Sequence, residues 1–266
     1  MNVRREHPAP HASSHGPVLV ALVVIAIATC AAYHNSLSGP FVFDDVPAIV
    51  ENQTIRQLNL SVLRPPGNSG GTVTGRPMVN ASLAVNYAAG GAAVAGYHAL
   101  NLACHTLAAL TLFGLVRRTL LLPSVARRFG TASTLLAGTI AVVWATHPLA
   151  TSAVTYVIQR AEVMMALFYL STLYCFARGA ARQDQGRPPS PVTGVTGANG
   201  GGWHALSIAA CWLGMATKEV MVTAPFMLLL YDRCFIAGSF HEAWRRRRNV
   251  YLALAASWLV LAGLMA

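Results

Sequence analysis

An all-α membrane protein crossing the bilayer about seven times is the fold class this sequence predicts, and three observations predict it. First, 55% of the 266 residues are hydrophobic and only 11% are charged, with a mean hydropathy of +0.49. A soluble domain carries about a quarter charged residues and uses them to cover its surface. Second, several uncharged runs approach the roughly 20 residues that a bilayer demands. Third, the arginines behind the net charge of +10 cluster between those runs, which is a topogenic pattern and excludes a nucleic-acid-binding face.

The elements follow in order. Residues 1–16 form a basic tail with Arg4 and Arg5, expected in the cytoplasm. Pro17 to Tyr33 is the first uncharged run. Ala26-Ile27-Ala28 offers a small-residue cleavage pattern, and Ile27 to Cys30 loosely matches a lipoprotein site. The run is long for a signal core and reads as an uncleaved anchor. Further apolar windows cover 97–116, 131–147, 162–177, 203–217, 220–236 and 250–266. With the N-terminus inside, the cytoplasmic loops collect fourteen of the 19 basic residues: Arg4, Arg5, Arg117, Arg118, Arg127, Arg128, Arg178, Arg182, Arg187, Arg233 and Arg245 to Arg248. Arg56, Arg64, Arg76, Arg160 and Lys218 remain outside, together with Asp44, Asp45, Glu51, Glu162 and Glu219. Aromatic anchors fit this orientation, with Tyr33, Tyr97 and Trp144 outside and Trp203, Tyr231 and Trp244 inside.

Two loops stand out. Residues 34–96 form an external loop too long to be a connector. Within it, Pro77 suits a helix first turn, and Val79, Leu83 and Tyr87 at four-residue spacing predict an amphipathic helix on the membrane surface. Residues 179–202 are rich in Gly, Pro, Ser and Thr and read as a flexible cytoplasmic loop. Cys30, Cys104, Cys175, Cys211 and Cys234 lie in or beside spans without CxxC spacing, so they read as small apolar residues and no metal site is expected from them. The final run ends at Ala266 with no polar flank, so the chain reads as truncated at its C-terminus.

Several residues carry possible chemistry. Adjacent Asp44 and Asp45 follow Phe41-Val42-Phe43; in a confined site paired carboxylates give a general base or ligands for a divalent cation, and in an exposed turn they are caps. His98, Asn101 and His105 share one face of the second span, either lining a cavity or forming a helix–helix seam. They are no zinc site, because seven residues of helix separate the imidazoles by about 10 Å. His147-Pro148 ends the third span. Arg160 and Lys218 are outer cations suited to a lipid phosphate or to pairing with Glu162 or Glu219. Lys218-Glu219 joins two short spans with no loop, a charged break of the kind that marks sites in membrane proteins.

Taken in order, Phe43-Asp44-Asp45, Arg76-Pro77, Gly96 to Asn101 with His105, His147-Pro148, Thr155 to Arg160, Thr217-Lys218-Glu219 with Pro225, and Tyr231-Asp232 form a known pattern. It resembles the membrane part of the transmembrane and tetratricopeptide-repeat protein O-mannosyltransferases and their bacterial relatives, which belong to the GT-C class. The resemblance covers roughly residues 38–236 and rests on order and spacing. It implies a GT-C-like transmembrane domain over 17–266 that moves a sugar from a polyprenyl-phosphate donor to a hydroxyl, the acceptor being a protein Ser or Thr, outside the membrane. Asp44 or Asp45 matches the family's acidic motif and its catalytic base. Charge and side place Arg76, Arg160 and Lys218 as cations for the phosphate, with His98, Asn101, His105, His147, Glu162 and Glu219 as supporting polar groups. The chain departs from the family in having no tetratricopeptide repeats and in stopping at its seventh span. Its Ala- and Gly-rich composition points to a bacterial inner membrane. Two other readings compete. A transporter or flippase for a lipid-linked or anionic substrate draws on the charged break, and a non-catalytic scaffold predicts that Asp44 and Asp45 tolerate Asn.

Overall fold

The computed structural model describes residues 15–64, 73–185 and 200–265, and all regular structure among them is helical. Helix α1 (His15–Tyr33) is followed by the external-loop segment, which winds through short turns at 46–50, 53–55 and 60–63 before α2 (Pro77–Gly90). Then come α3 (Val94–Leu120), α4 (Pro123–Phe129), α5 (Ser133–Ala145), α6 (Thr151–Thr155), α7 (Arg160–Gln185), α8 (Gly200–Met215), α9 (Ala224–Tyr231), α10 (Phe240–Ala255) and α11 (Ser257–Met265).

Among the described residues, four stretches are long and apolar enough to cross a membrane: His15–Ser38, Val94–Leu120, Val157–Gln183 and Glu219–Ala237. A fifth arises if Ser133–Ala145 and Pro148–Thr155, bent by 51°, form one broken span. The bend sits at His147-Pro148, where proline removes a backbone donor and pushes the preceding residue out of helix. The windows at 203–217 and 250–266 hold shorter helices. Helix α8 has 16 residues and α11 has 9, below the roughly 20 that span a hydrocarbon core. The architecture fits a multi-pass membrane protein.

Helix α3 is the hub, packing against α1, α5 and α7, while α8 lies along α7. Small residues permit these approaches. Ala137, Ala141 and Ala145 repeat every four residues on α5 and are fully buried against Ile25 of α1 and Ala109 and Phe113 of α3. In lipid, close packing of this kind replaces the hydrophobic drive that assembles helices in water. On α7, a β-carbon added to Gly179 would lie 2.7 Å from the His204 ring, so only glycine lets α8 approach there.

Two expectations change. Helix α7 continues to Gln185 and α8 starts at Gly200, so both flanks of the segment expected as a flexible loop are helical, and 186–199 lies outside the described residues. The tail bearing Arg4 and Arg5, and Arg187, also lie outside them. Helix α2 does form from Pro77, but its stripe does not face lipid. Val79 and Leu83 are fully buried against Ala48, Ile49, Ile55, Val62 and Val73 of the loop and against Tyr97, Val157 and Ile158. Periodicity marks an apolar face, and here the loop covers it with a small core of its own.

Candidate functional site

The loop core is held by buried amides. Asn52 donates to the Ala48 carbonyl at 3.0 Å and to Asn80 Oδ1 at 2.9 Å. Asn80 in turn donates to the Val62 carbonyl at 2.8 Å and to Thr54 at 2.9 Å. This network fixes the loop against α2, whose start is tied to the end of α8 by Met78 N–H donating to the Ala216 carbonyl at 3.1 Å.

On that base the two adjacent acids part company. Asp45 is 1% exposed, and its carboxylate accepts N–H bonds from Ile158 at 2.8 Å and Val42 at 3.1 Å. Burial pushes its pKa up, opposed by those two N–H donors. Asp44 is exposed, and its backbone N–H donates to the Tyr156 hydroxyl at 2.9 Å. Burial, together with the negative charges of the two acids, raises the pKa of that phenol and keeps it neutral. Phe43 carries φ of 44°, a conformation that strains any residue with a side chain and that clusters at functional sites.

The cations are also sorted by the fold. Arg76 pairs with Glu219 at 3.3 Å, and Lys218 pairs with Glu162. Both pairs retain partial exposure. Arg160 is fully buried: Nε donates to Asn101 Oδ1 at 2.8 Å, Nη2 to the Tyr97 carbonyl at 2.9 Å and Nη1 to Ser82 at 3.4 Å. Its guanidinium joins α2, α3 and α7 through neutral acceptors. The structure therefore brings Arg76, Lys218, Glu162 and Glu219 together in ion pairs and encloses Arg160.

The polar face of α3 is a seam. His98 Nε2 meets the Gly39 carbonyl at 3.2 Å, and His105 Nε2 meets the Ala145 carbonyl at 2.8 Å. That last carbonyl of α5 has no helical donor and also receives the Tyr33 hydroxyl at 3.0 Å. Asn101 donates to the carbonyls of Val154, Tyr156 and Val157. Exposed His147 accepts the Leu149 N–H at 3.2 Å and so caps the turn after α5. Among the described residues no three His, Cys, Asp or Glu side chains group as metal ligands.

Everything converges on the entry to α7. Tyr156 holds Asp44, Ile158 holds Asp45, Arg160 holds α2 and α3, and Glu162 holds Lys218. These are alternate positions of one short segment. Sequence reasoning singled out neither Tyr156 nor Asn80 as a site residue. Tyr156 lay within a quoted motif, and its hydroxyl before an apolar pair was the available signal. Asn80 had none, because its partners come from 26 and 28 residues away. A cavity of about 800 Å³ lies at the other end of the bundle and takes no part in this site.

No family model matches the chain, and no solved structure matches it. Curated relatives do. A Caenorhabditis elegans protein O-mannosyl-transferase, F38B6.6, is 29% identical over 164 residues, which is 59% of this chain and 22% of the relative. The Drosophila melanogaster protein O-mannosyl-transferase Tmtc1 is 34% identical over 162 residues, 58% of this chain and 18% of the relative. The chain is similar in sequence to the TMTC protein O-mannosyl-transferases. Human TMTC2 extends the match to 92% of this chain at 28% identity, covering 28% of its own length. The chain thus spans between 18% and 28% of the length of these TMTC relatives.

Proposed function

We propose that this chain is the sugar-transferring membrane portion of a glycosyltransferase that acts on protein hydroxyls. The observation that carries the reading is the division between Asp44 and Asp45. One carboxylate is locked into the scaffold, and the other is exposed at the surface, with the Tyr156 hydroxyl bonded to its backbone N–H and lying beside its side chain. Asp44 is the general base. It takes the proton of an acceptor Ser or Thr hydroxyl as that oxygen bonds to the anomeric carbon, and the bond from that carbon to the phosphate oxygen breaks. The electron pair leaves with a polyprenyl phosphate, whose charge is stabilised by Arg76 and Lys218 once the donor competes with Glu219 and Glu162 for them. Arg160 acts through the scaffold by fixing α7 against α2 and α3.

The proposed topology has seven spans, the five of the bundle supplemented by the shorter α8 and by α10 with α11. The N-terminus is cytoplasmic and the loop 34–96 lies at the outer face, which puts Asp44 where a lipid-borne sugar is presented. An Ala- and Gly-rich composition supports a bacterial inner membrane. The TMTC relatives' names support protein as the acceptor.

The test is transfer of labelled sugar in membranes carrying the full gene product, with polyprenyl-phosphate sugars and nucleotide sugars offered in parallel. The reading expects transfer from the lipid-linked donor alone and its loss in Asp44→Asn, by about a hundredfold or more. Transfer from the nucleotide sugar, or no transfer from any lipid-linked sugar, contradicts it.

A further inference from the structure

At the end of the bundle opposite Asp44, a cavity of about 800 Å³ opens between α1, α3, α7 and the segment after α9. Helix geometry sets its depth. Arg117 lies 19 residues beyond His98 on α3, and Arg178 lies 18 beyond Arg160 on α7, about 28 Å in each case and close to one hydrocarbon thickness. Val18, Leu22, Leu110 and Phe113 make its walls apolar, while Arg117, Arg118 and Arg178 stand around it. Among the described residues no Asp or Glu lines it.

These arginines differ from Arg76 and Lys218 at the Asp44 end, which are paired with acids. Arg117 donates to Thr134 at 3.0 Å, Arg118 lies 5.9 Å from the Tyr174 ring, and Arg178 lies 4.1 Å from the Trp203 ring and bonds the Tyr174 hydroxyl at 3.3 Å. Among the described residues none of the three has a carboxylate partner. The buried Nε of Arg178 has no acceptor among the described residues. Three cations with hydroxyls and rings for company, above an apolar chamber at bilayer depth, are complementary to a ligand that is anionic at one end and hydrocarbon at the other. Basic pockets between membrane helices bind anionic head groups in this way, and the volume falls in the range of small-molecule sites.

We infer that this cavity binds one anionic phospholipid, its phosphate held by Arg117, Arg118 and Arg178 and an acyl chain running along Leu22 and Phe113. The occupant is a bilayer lipid bound on the face opposite sugar transfer, so the site is distinct from any donor site beside Asp44. Arg127 and Arg128 on neighbouring α4 are equally basic but exposed and outside the cavity, which makes them the natural control.

Native mass spectrometry of the full gene product tests the inference, using micelles loaded with equal amounts of palmitoyl-oleoyl phosphatidylglycerol and phosphatidylcholine. The expected result is one phosphatidylglycerol retained per chain in preference to phosphatidylcholine. Retention falls at least about tenfold in the Arg117→Gln, Arg118→Gln, Arg178→Gln variant and persists in Arg127→Gln, Arg128→Gln. Leu22→Trp, which fills the chamber and leaves every charge in place, also loses the lipid, so the result does not hang on the folding of the triple variant. Equal retention of both lipids overturns the inference, as does wild-type retention in the triple variant or in Leu22→Trp. Displacement of the lipid by excess inorganic phosphate overturns it too, because that marks a free-anion site.

Discussion

The two ends of the bundle treat charge differently. At the Asp44 end, Arg76 and Lys218 are matched to Glu219 and Glu162, and these pairs tie together segments far apart in the chain. At the other end, Glu242 pairs with Arg245 and Arg246 at the surface, Asp232 and Arg247 form a pair with no exposure that the Tyr251 hydroxyl joins, and Arg117, Arg118 and Arg178 have no acid partner among the described residues. Partly exposed pairs can open at small cost, as the proposed donor phosphate requires. A sealed pair is structural, and the three arginines without an acid among the described residues are those of the inferred lipid site. Charged groups in this molecule are therefore used in three ways: burial marks the sealed pair, and the presence or absence of an acid partner separates the two half-buried sets.

The largest effect expected from this contrast is at the sealed pair. Arg247→Met leaves Asp232 buried with only the Tyr251 hydroxyl, and loss of about 3–5 kcal/mol is expected in thermal or denaturant unfolding in micelles. A loss under 1 kcal/mol would remove the distinction between the two ends. Next comes Tyr156→Phe, which takes away the acceptor of the Asp44 N–H. We expect kcat to fall about tenfold, the worth of one good hydrogen bond, with the donor KM unchanged. A raised KM at constant kcat would instead put Tyr156 in contact with the donor. The smallest effect is at the open pair: Lys218→Ala should cost no more than about 1 kcal/mol of stability yet raise the donor KM. Severe destabilisation would make Lys218–Glu162 a structural pair like Asp232–Arg247.

Much of this was legible in the residues, and the remainder was hidden for a physical reason. Apolar runs located α1, α3, α7 and the 219–237 helix, because hydropathy over some 20 residues is a local property. The break at His147-Pro148 was equally visible, although its 51° bend was not. Asp44 and Asp45 looked equivalent, since what separates them is the Ile158 N–H, 113 residues away. The stripe on α2 was legible as an apolar face, but whether lipid or protein covers it depends on how the loop folds. Gly179 read as the start of a loop. Its role, letting His204 close on α7, depends on a helix that begins after it. Arg160 likewise showed its charge and not its enclosure, which needs Ser82, Tyr97 and Asn101 from two other helices.

The most direct test compares Asp44→Asn with Asp45→Asn at matched membrane levels, reading sugar transfer and thermal unfolding on each. A surface base and a buried scaffold acid predict opposite signatures. Asp44→Asn abolishes transfer with an unchanged melting temperature, whereas Asp45→Asn lowers the melting temperature and reduces transfer only in proportion to the folded protein lost. Full transfer in Asp44→Asn, or transfer abolished in an Asp45→Asn protein that melts like the wild type, would contradict the assignment.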